Sequence, residues 1–467
     1  MIPKPTQALR ATHPAPTGFD RRLIAPMVLG SVLNPINSSM IAVALVPIGI
    51  AFGAPPSETV WLVSALYLAT AVGQPVIGRL VDMYGPRRLY LIGTALVGIA
   101  GVMGALAPSL GVLIAARVLL GFGTSAAYPA AMQLTRSEAE RTGEDSPAGV
   151  LTALAISAQT VSVIGPTLGG FLIGVGGWRA IFTVNVPLSV ACLILGALRL
   201  PRTSKDKDTA GTRRDVDPPG MLLFAVMLVS LMMFLTAPKL SEWYLPLLSA
   251  AAAVAFARRE LRVPEPFVDL RVLGGNLPLV TTYIRQFLGY TTSYAFLYGF
   301  TQWLEEGRGL HASAAGLVLL PLSLTALGVS TLTGRREAVR AKLLVGSVVQ
   351  IAGCAGLFLI NSDSPVRALL AVGAVLGVPQ GLLGLAGQNA LYRQAEPARI
   401  ASAAGLLRTF MYLGALAASA ATAAFFPHRA DTPGLHGLAL FMGIGSVLLL
   451  AITLPDRSLR TLTPKTL

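Results

Sequence analysis

Long apolar stretches alternate with short charged ones along almost the whole chain. The apolar runs fall at about 24–50, 59–80, 89–108, 111–133, 148–173, 180–199, 219–237, 243–257, 278–303, 312–333, 342–361, 366–388, 401–426 and 434–455. Most are close to the ~20 residues that a helix needs to cross the hydrocarbon of a bilayer. The pattern therefore predicts an all-α polytopic membrane protein with 14 transmembrane helices. The run at 243–257 is the shortest, and without it the count would be thirteen. Glycine (48) and proline (32) are frequent inside the runs, which membrane helices tolerate and soluble helices do not.

Charge fixes the expected orientation. Of the 36 Lys and Arg, the outer loops hold only Arg179, Lys239, Arg308, Arg367 and Arg429, and Arg117, Arg285 and Arg408 fall inside runs. The remaining 28 lie on the other side, which the positive-inside rule makes cytoplasmic. Both termini are then cytoplasmic, in a bacterial-type cytoplasmic (inner) membrane. The net charge of +14 is thus distributed over inter-span loops rather than gathered in a patch, so no nucleic-acid partner is expected. The first apolar run is too long for a signal-peptide core and no cleavage site follows it.

The polar stretches divide the chain. Residues 1–22 read as a disordered cytoplasmic tail, 23–199 as a six-helix bundle and 200–218 as a cytoplasmic linker. Residues 219–273 read as an inserted helix pair with its connector, 274–456 as a second six-helix bundle, and 457–467 as a tail. Two bundles around a midplane site are the architecture of secondary transporters.

Composition removes other classes. Charged residues make up 12% of the chain and mean hydropathy is +0.66, against about 25% charged in a soluble domain. Cys192 and Cys354 both lie in apolar runs, and of the four histidines only His436 falls in one, two residues from its outer end. No cofactor and no metal site is expected, and no His or carboxylate constellation supports a membrane-embedded enzyme.

Three motifs carry a family resemblance. Gly78-Arg79-Leu80-Val81-Asp82-Met83-Tyr84-Gly85-Pro86-Arg87-Arg88 resembles motif A of the major facilitator superfamily. Arg117, in Arg117-Val118-Leu119-Leu120-Gly121-Phe122-Gly123, is similar to motif B. Gly165-Pro166-Thr167-Leu168-Gly169-Gly170 resembles motif C of the antiporter branches, followed by a Gly177–Pro187 stretch similar to that of drug:proton antiporters. The Trp61–Tyr67 stretch and the connector at 258–270 resemble the fourteen-span branch. The resemblance implies the major facilitator fold, with two six-helix bundles plus two inserted helices. It also implies a monomer that exports small amphipathic compounds by alternating access in exchange for protons. An uptake symporter and a proton-independent transporter are the alternatives. Asp82, Arg87, Arg88, Arg117, Gly165, Pro166, Gly169 and Gly170 take coupling and gating roles by the same resemblance, and Arg117 the link to proton coupling.

The sequence departs from the branch where its first span usually carries an acid, because Asn37 stands there and a neutral amide does not titrate. No acid lies at mid-membrane depth. Asp82 is at an inner edge and Glu305 and Glu306 at an outer one. Polar and soft side chains inside the runs are the expected lining of a substrate cavity: Asn34, Asn37, Met40 and Gln159 in the first half, and Arg285, Tyr294, Tyr298, Gln302, Gln388 and Asn389 in the second, with Gln286 beside them. A cavity with arginines and no carboxylate favours neutral, zwitterionic or anionic compounds.

Overall fold

The computed structural model describes residues 19–54, 56–59, 61–142, 148–201, 217–236, 240–264, 266–268, 270–310, 312–334, 336, 338–426 and 429–461. Every regular element among them is helical. The first half holds α1 (Ile24–Met40), α2 (Leu45–Phe52), α3 (Trp61–Tyr84), α4 (Pro86–Ala105), α5 (Leu110–Thr124), α6 (Ala127–Thr142), α7 (Ala148–Gly176) and α8 (Asn185–Arg199). Next come α9 (Pro218–Thr236) and α10 (Tyr244–Glu260). The second half holds α11 (Leu277–Gln302), α12 (Ala312–Thr333), α13 (Val339–Leu357), α14 (Val366–Gln394), α15 (Ile400–Phe425) and α16 (Thr432–Thr453).

Ten helices among the described residues are long and apolar enough to cross a membrane. Two of the others, α1 and α10, have only 17 residues each. α11 is long enough, but Thr282, Arg285, Gln286, Thr291 and Thr292 are buried on it and dilute its hydropathy. That dilution follows from its place in the interior.

Helix ends are set locally. Gly85 turns the chain between α3 and α4 at φ +88°, a conformation open chiefly to glycine, and Pro86 then starts α4 without a donor to waste. Ser109, Asn276 and Asp431 cap α5, α11 and α16 through side-chain oxygens. α1 and α2 are joined by a 3-10 turn at Ile41–Ala44.

Within the first half α1 packs on α7, and α4 packs on α5 and α8. Within the second half α14 packs on α12 and α13, and α11 on α15 and α16. The halves meet along two seams, α3 and α6 against α15, and α7 against α12 and α14. α9 lies on α3 and α15 together, so the inserted pair straddles the first seam. Apolar side chains such as Ile92, Ile99, Leu198, Leu247, Val348 and Ile444 are exposed on the outer surface, while Asn37, Gln74, Arg117, Arg285 and Gln350 are buried. Apolar side chains thus cover the outer surface as well as filling the core, and these polar ones are withdrawn inside, the distribution expected when the solvent is lipid.

Candidate functional site

The end of the molecule that carries residues 78–88 is closed at the first seam. There α3 and α15 cross backbone to backbone. A side chain on Gly78 would meet the Ala401 carbonyl at 2.5 Å, and one on Gly405 would meet the Gln74 carbonyl at 2.3 Å. The Thr409 hydroxyl donates to the Ala71 carbonyl at 2.7 Å. Asp82 completes the contact. Its carboxylate accepts from the amides of Ala401 (3.1 Å) and Ser402 (2.8 Å) and from the Ser402 hydroxyl. These amides belong to the first turn of α15, whose donors have no partner within the helix, so a carboxylate of one half caps a helix of the other. Arg87 donates to the Ala197 carbonyl at 2.8 Å, tying α4 to α8. Arg88 is exposed.

Arg117 is 1% exposed. It donates from Nε to the Leu62 carbonyl at 2.8 Å and from Nη1 to the Asn37 carbonyl at 3.2 Å, while Nη2 has no hydrogen-bond partner. It therefore pins α5 to α3 and α1 through main-chain oxygens, with no carboxylate in the contact. Asn37 is spent nearby. It exchanges amide hydrogen bonds with Asn185 at 2.6 and 2.9 Å and donates to the Leu33 carbonyl. Both asparagines are 1% exposed or less, so this pair joins α1 to α8 inside the first half. Motif C packs α7 on α1: a Cβ on Gly165 would strike Ser39 Oγ, and one on Gly169 would meet Met40 and Val43. Met40 is fully buried there. Gly170 faces open space, and the side chains of Pro166 and Gln159 lie outside the described residues.

Deeper in the first seam the side chains become aromatic. Tyr290, Tyr294 and Tyr298 repeat at i, i+4 and i+8 on α11, with ring centroids 5.9 and 5.4 Å apart. Tyr67 of α3 and Tyr412 of α15 face each other across the seam at 5.7 Å. The Tyr412 hydroxyl donates to Asn34 Oδ1 at 3.1 Å, and Asn34 Nδ2 donates to Thr124 at 3.0 Å. Asn34 thus links the halves. Arg408 of α15 lays its guanidinium over the Tyr128 ring, 4.1 Å from the centroid. Of this group the sequence reading named Asn34, Tyr294 and Tyr298. It missed Tyr67, Tyr128, Tyr290, Arg408 and Tyr412, although the tyrosine spacing on α11 and the arginine within an apolar run were there to be read.

The remaining residues go elsewhere. Arg285 is 3% exposed and forms an ion pair with Asp456, just beyond α16, while also donating to the Ile452 carbonyl at 3.2 Å. Gln286 is buried against Gly387. Gln388 and Asn389 are buried on α14, each with one polar atom lacking a partner. Gln302 is exposed, where α11 passes into a π-helical turn at Trp303–Gly307. In that turn Glu306 accepts the Ala430 amide at 2.8 Å. No three His, Cys, Asp or Glu side chains converge as metal ligands among the described residues.

The Arg285–Asp456 pair makes a stability prediction. Burial raises the Asp456 pKa, but hydrogen bonds from Ser458 and the Arg285 charge outweigh it and hold the group below its ordinary value. Asp456 therefore stabilises the fold at neutral pH, and that share is lost as pH falls below the usual carboxylate range. Asp456→Asn leaves a buried guanidinium without its anion, which costs about 3 kcal/mol. The expected result is a clearly lower apparent melting temperature in detergent at pH 7, with the gap to the parent protein closing at acid pH. An unchanged melting curve at pH 7 would contradict it.

Comparison with known proteins places this arrangement. The model of the Major Facilitator Superfamily matches residues 27–419. The chain is 32% identical over 437 residues to the uncharacterized MFS-type transporter YwoD of Bacillus subtilis, covering 91% of this chain and 94% of that one. It is 30% identical over 424 residues to the multidrug resistance protein Stp of Mycobacterium tuberculosis, covering 86% and 76%. Among solved structures, the human organic anion transporter MFSD10 superposes with a TM-score of 0.66 at 13% identity, covering 93% of this chain and 99% of that one.

Proposed function

The chain belongs to the major facilitator superfamily, and from that premise we propose that it exports small amphipathic compounds across the cytoplasmic membrane. It works by alternating access in exchange for protons, as a fourteen-span protein with both termini inside. The observation that carries the reading is the first seam. A polar and aromatic interior lies between two halves whose helices cross closely at one end and are held there by the Asp82 carboxylate together with the Thr409–Ala71 hydrogen bond. Such a contact is made or broken as a unit, which alternating access requires. The kinship with Stp, a multidrug resistance protein, favours export.

Asp82 is the carboxylate we assign to proton exchange. Ionised, it holds the first turn of α15. Protonated, it loses the charge that makes those hydrogen bonds strong, and the closed end is freed to open. Everted vesicles with an acidic interior test this. Accumulation of amphipathic dyes together with proton release is the expected result. Accumulation indifferent to the gradient would remove proton exchange. Dye uptake only by right-side-out vesicles would overturn export.

A further inference from the structure

We propose that the tyrosine cluster at the first seam, with Arg408 beside it, is a binding site for planar aromatic anions, an aryl carboxylate being the simplest. This rests on the reading of the protein as an exporter and names the charge class that it carries.

Arg408 lies about eight residues into α15, roughly 12 Å along the helix axis, past the Asp82 contact. A guanidinium at that depth is expensive unless it is paired or wet. The other deep arginines have fixed partners. Arg117 donates to main-chain carbonyls and Arg285 to Asp456. Arg408 has the Tyr128 ring and a 3.6 Å contact to Met411 Sδ, and among the described residues no carboxylate pairs with it. It is also half-buried where those two are closed off. The charged groups and phenols nearest to it are tyrosines: Tyr128, Tyr290, Tyr412 and Tyr294 all interact with its charge.

These features choose a ligand. A guanidinium fork that has no carboxylate partner of its own matches a carboxylate by two parallel hydrogen bonds, strengthened where water is scarce. The ladder Tyr290–Tyr294–Tyr298 and the opposed pair Tyr67–Tyr412 pack ring against ring with centroids 5.4 to 5.9 Å apart, an aromatic surface with hydroxyls at its rim that another planar ring can join. A cation would meet Arg408 with no acid paired to it among the described residues. Asp82, the carboxylate in the closed seam contact, is turned to the first turn of α15.

The test uses one ring with three charges: 2-naphthoate, neutral 2-naphthamide and cationic 2-naphthylmethylammonium. Binding to the purified full chain in detergent is measured by calorimetry. We expect 2-naphthoate to bind about tenfold or more tighter than 2-naphthamide, and the cation weakest. Arg408→Gln should bring the naphthoate-to-naphthamide ratio close to one, and Arg408→Lys should restore part of it. Arg367→Gln, which removes an exposed arginine at the far end of α14, should leave the ratio as it was. Equal binding of the three probes by the parent protein, or preference for the cation, would overturn the proposal even if no Arg408 variant folds. A preference that survives Arg408→Gln would overturn the role of Arg408. Accumulation in everted vesicles separates the two readings. Naphthoate that binds through Arg408 but is never accumulated sinks export and leaves the site standing. Dyes exported by a protein that ignores naphthoate sink the site and leave export standing.

Discussion

Gly405→Leu is expected to reduce transport in vesicles by tenfold or more while leaving the protein folded. At this position the nearest obstacles are all main chain of α3. The nearest atoms to an added Cβ are the Gln74 carbonyl oxygen at 2.3 Å, its carbon at 2.7 Å and Pro75 Cα at 2.8 Å. None of these is the end of a flexible side chain, so α3 and α15 must separate. Overpacking of this kind costs about 1–3 kcal/mol, and a leucine should sit at the upper end. The cost falls on the closed contact alone, because Gly405 faces the other half and the cores of both bundles are untouched. A shift of about 3 kcal/mol moves a two-state population by roughly 10², which leaves the chain open at that end. A reporter is available, because both native cysteines are buried. Ala403→Cys, buried on α15 at the same seam, should be alkylated slowly in the parent protein and quickly with Gly405→Leu. Full transport with unchanged alkylation would mean that the close approach of α3 and α15 has no part in the cycle.

The sequence carried the helices and the motif residues well, and the partnerships poorly, for a physical reason. A membrane helix is apolar toward lipid and apolar toward its neighbours, so hydropathy marks the helix but not the face that meets each partner. The Asp82 motif was legible because its chemistry is local: a turn glycine, a carboxylate and three arginines within residues 78–88. That the carboxylate grips α15 was not, since Ser402 is 320 residues away. Asn37 read as a cavity residue because a polar side chain in an apolar run needs some partner, and that partner proved to be Asn185, 148 residues on. Arg285 read as a substrate ligand for the same reason, and its anion is Asp456, outside any apolar run. Gln302 was placed in the interior because the apolar run continues to its position, whereas the π-helical turn at Trp303 leaves it exposed. Arg408 was the opposite case, a charge noticed in a span and given no role, until the fold brought tyrosines from α6 and α11 around it.

Asp82→Asn should open the same end by a different route. The asparagine keeps one acceptor oxygen and replaces the other with a donor, which points at amides that are themselves donors. Three hydrogen bonds to a charged acceptor become about one to a neutral acceptor, and the favourable placement of a negative charge at the start of α15 is lost. Hydrogen bonds to charged groups contribute ~1.5–3 kcal/mol each and the helix-end charge ~0.3–1 kcal/mol, so a loss of about 3 kcal/mol is conservative. The expected signs are faster alkylation of Ala403→Cys and a drop in transport of about 10². Ser402→Ala, which removes one of the three bonds, should lose about tenfold. Combining Asp82→Asn with Gly405→Leu gives the sharper result. If both act by breaking one contact, the second substitution finds nothing left to break and the double variant is little worse than either alone. Losses that multiply would instead place Asp82 in a separate step of the cycle. Proton exchange would then have to reach the seam through some group other than the one that caps α15.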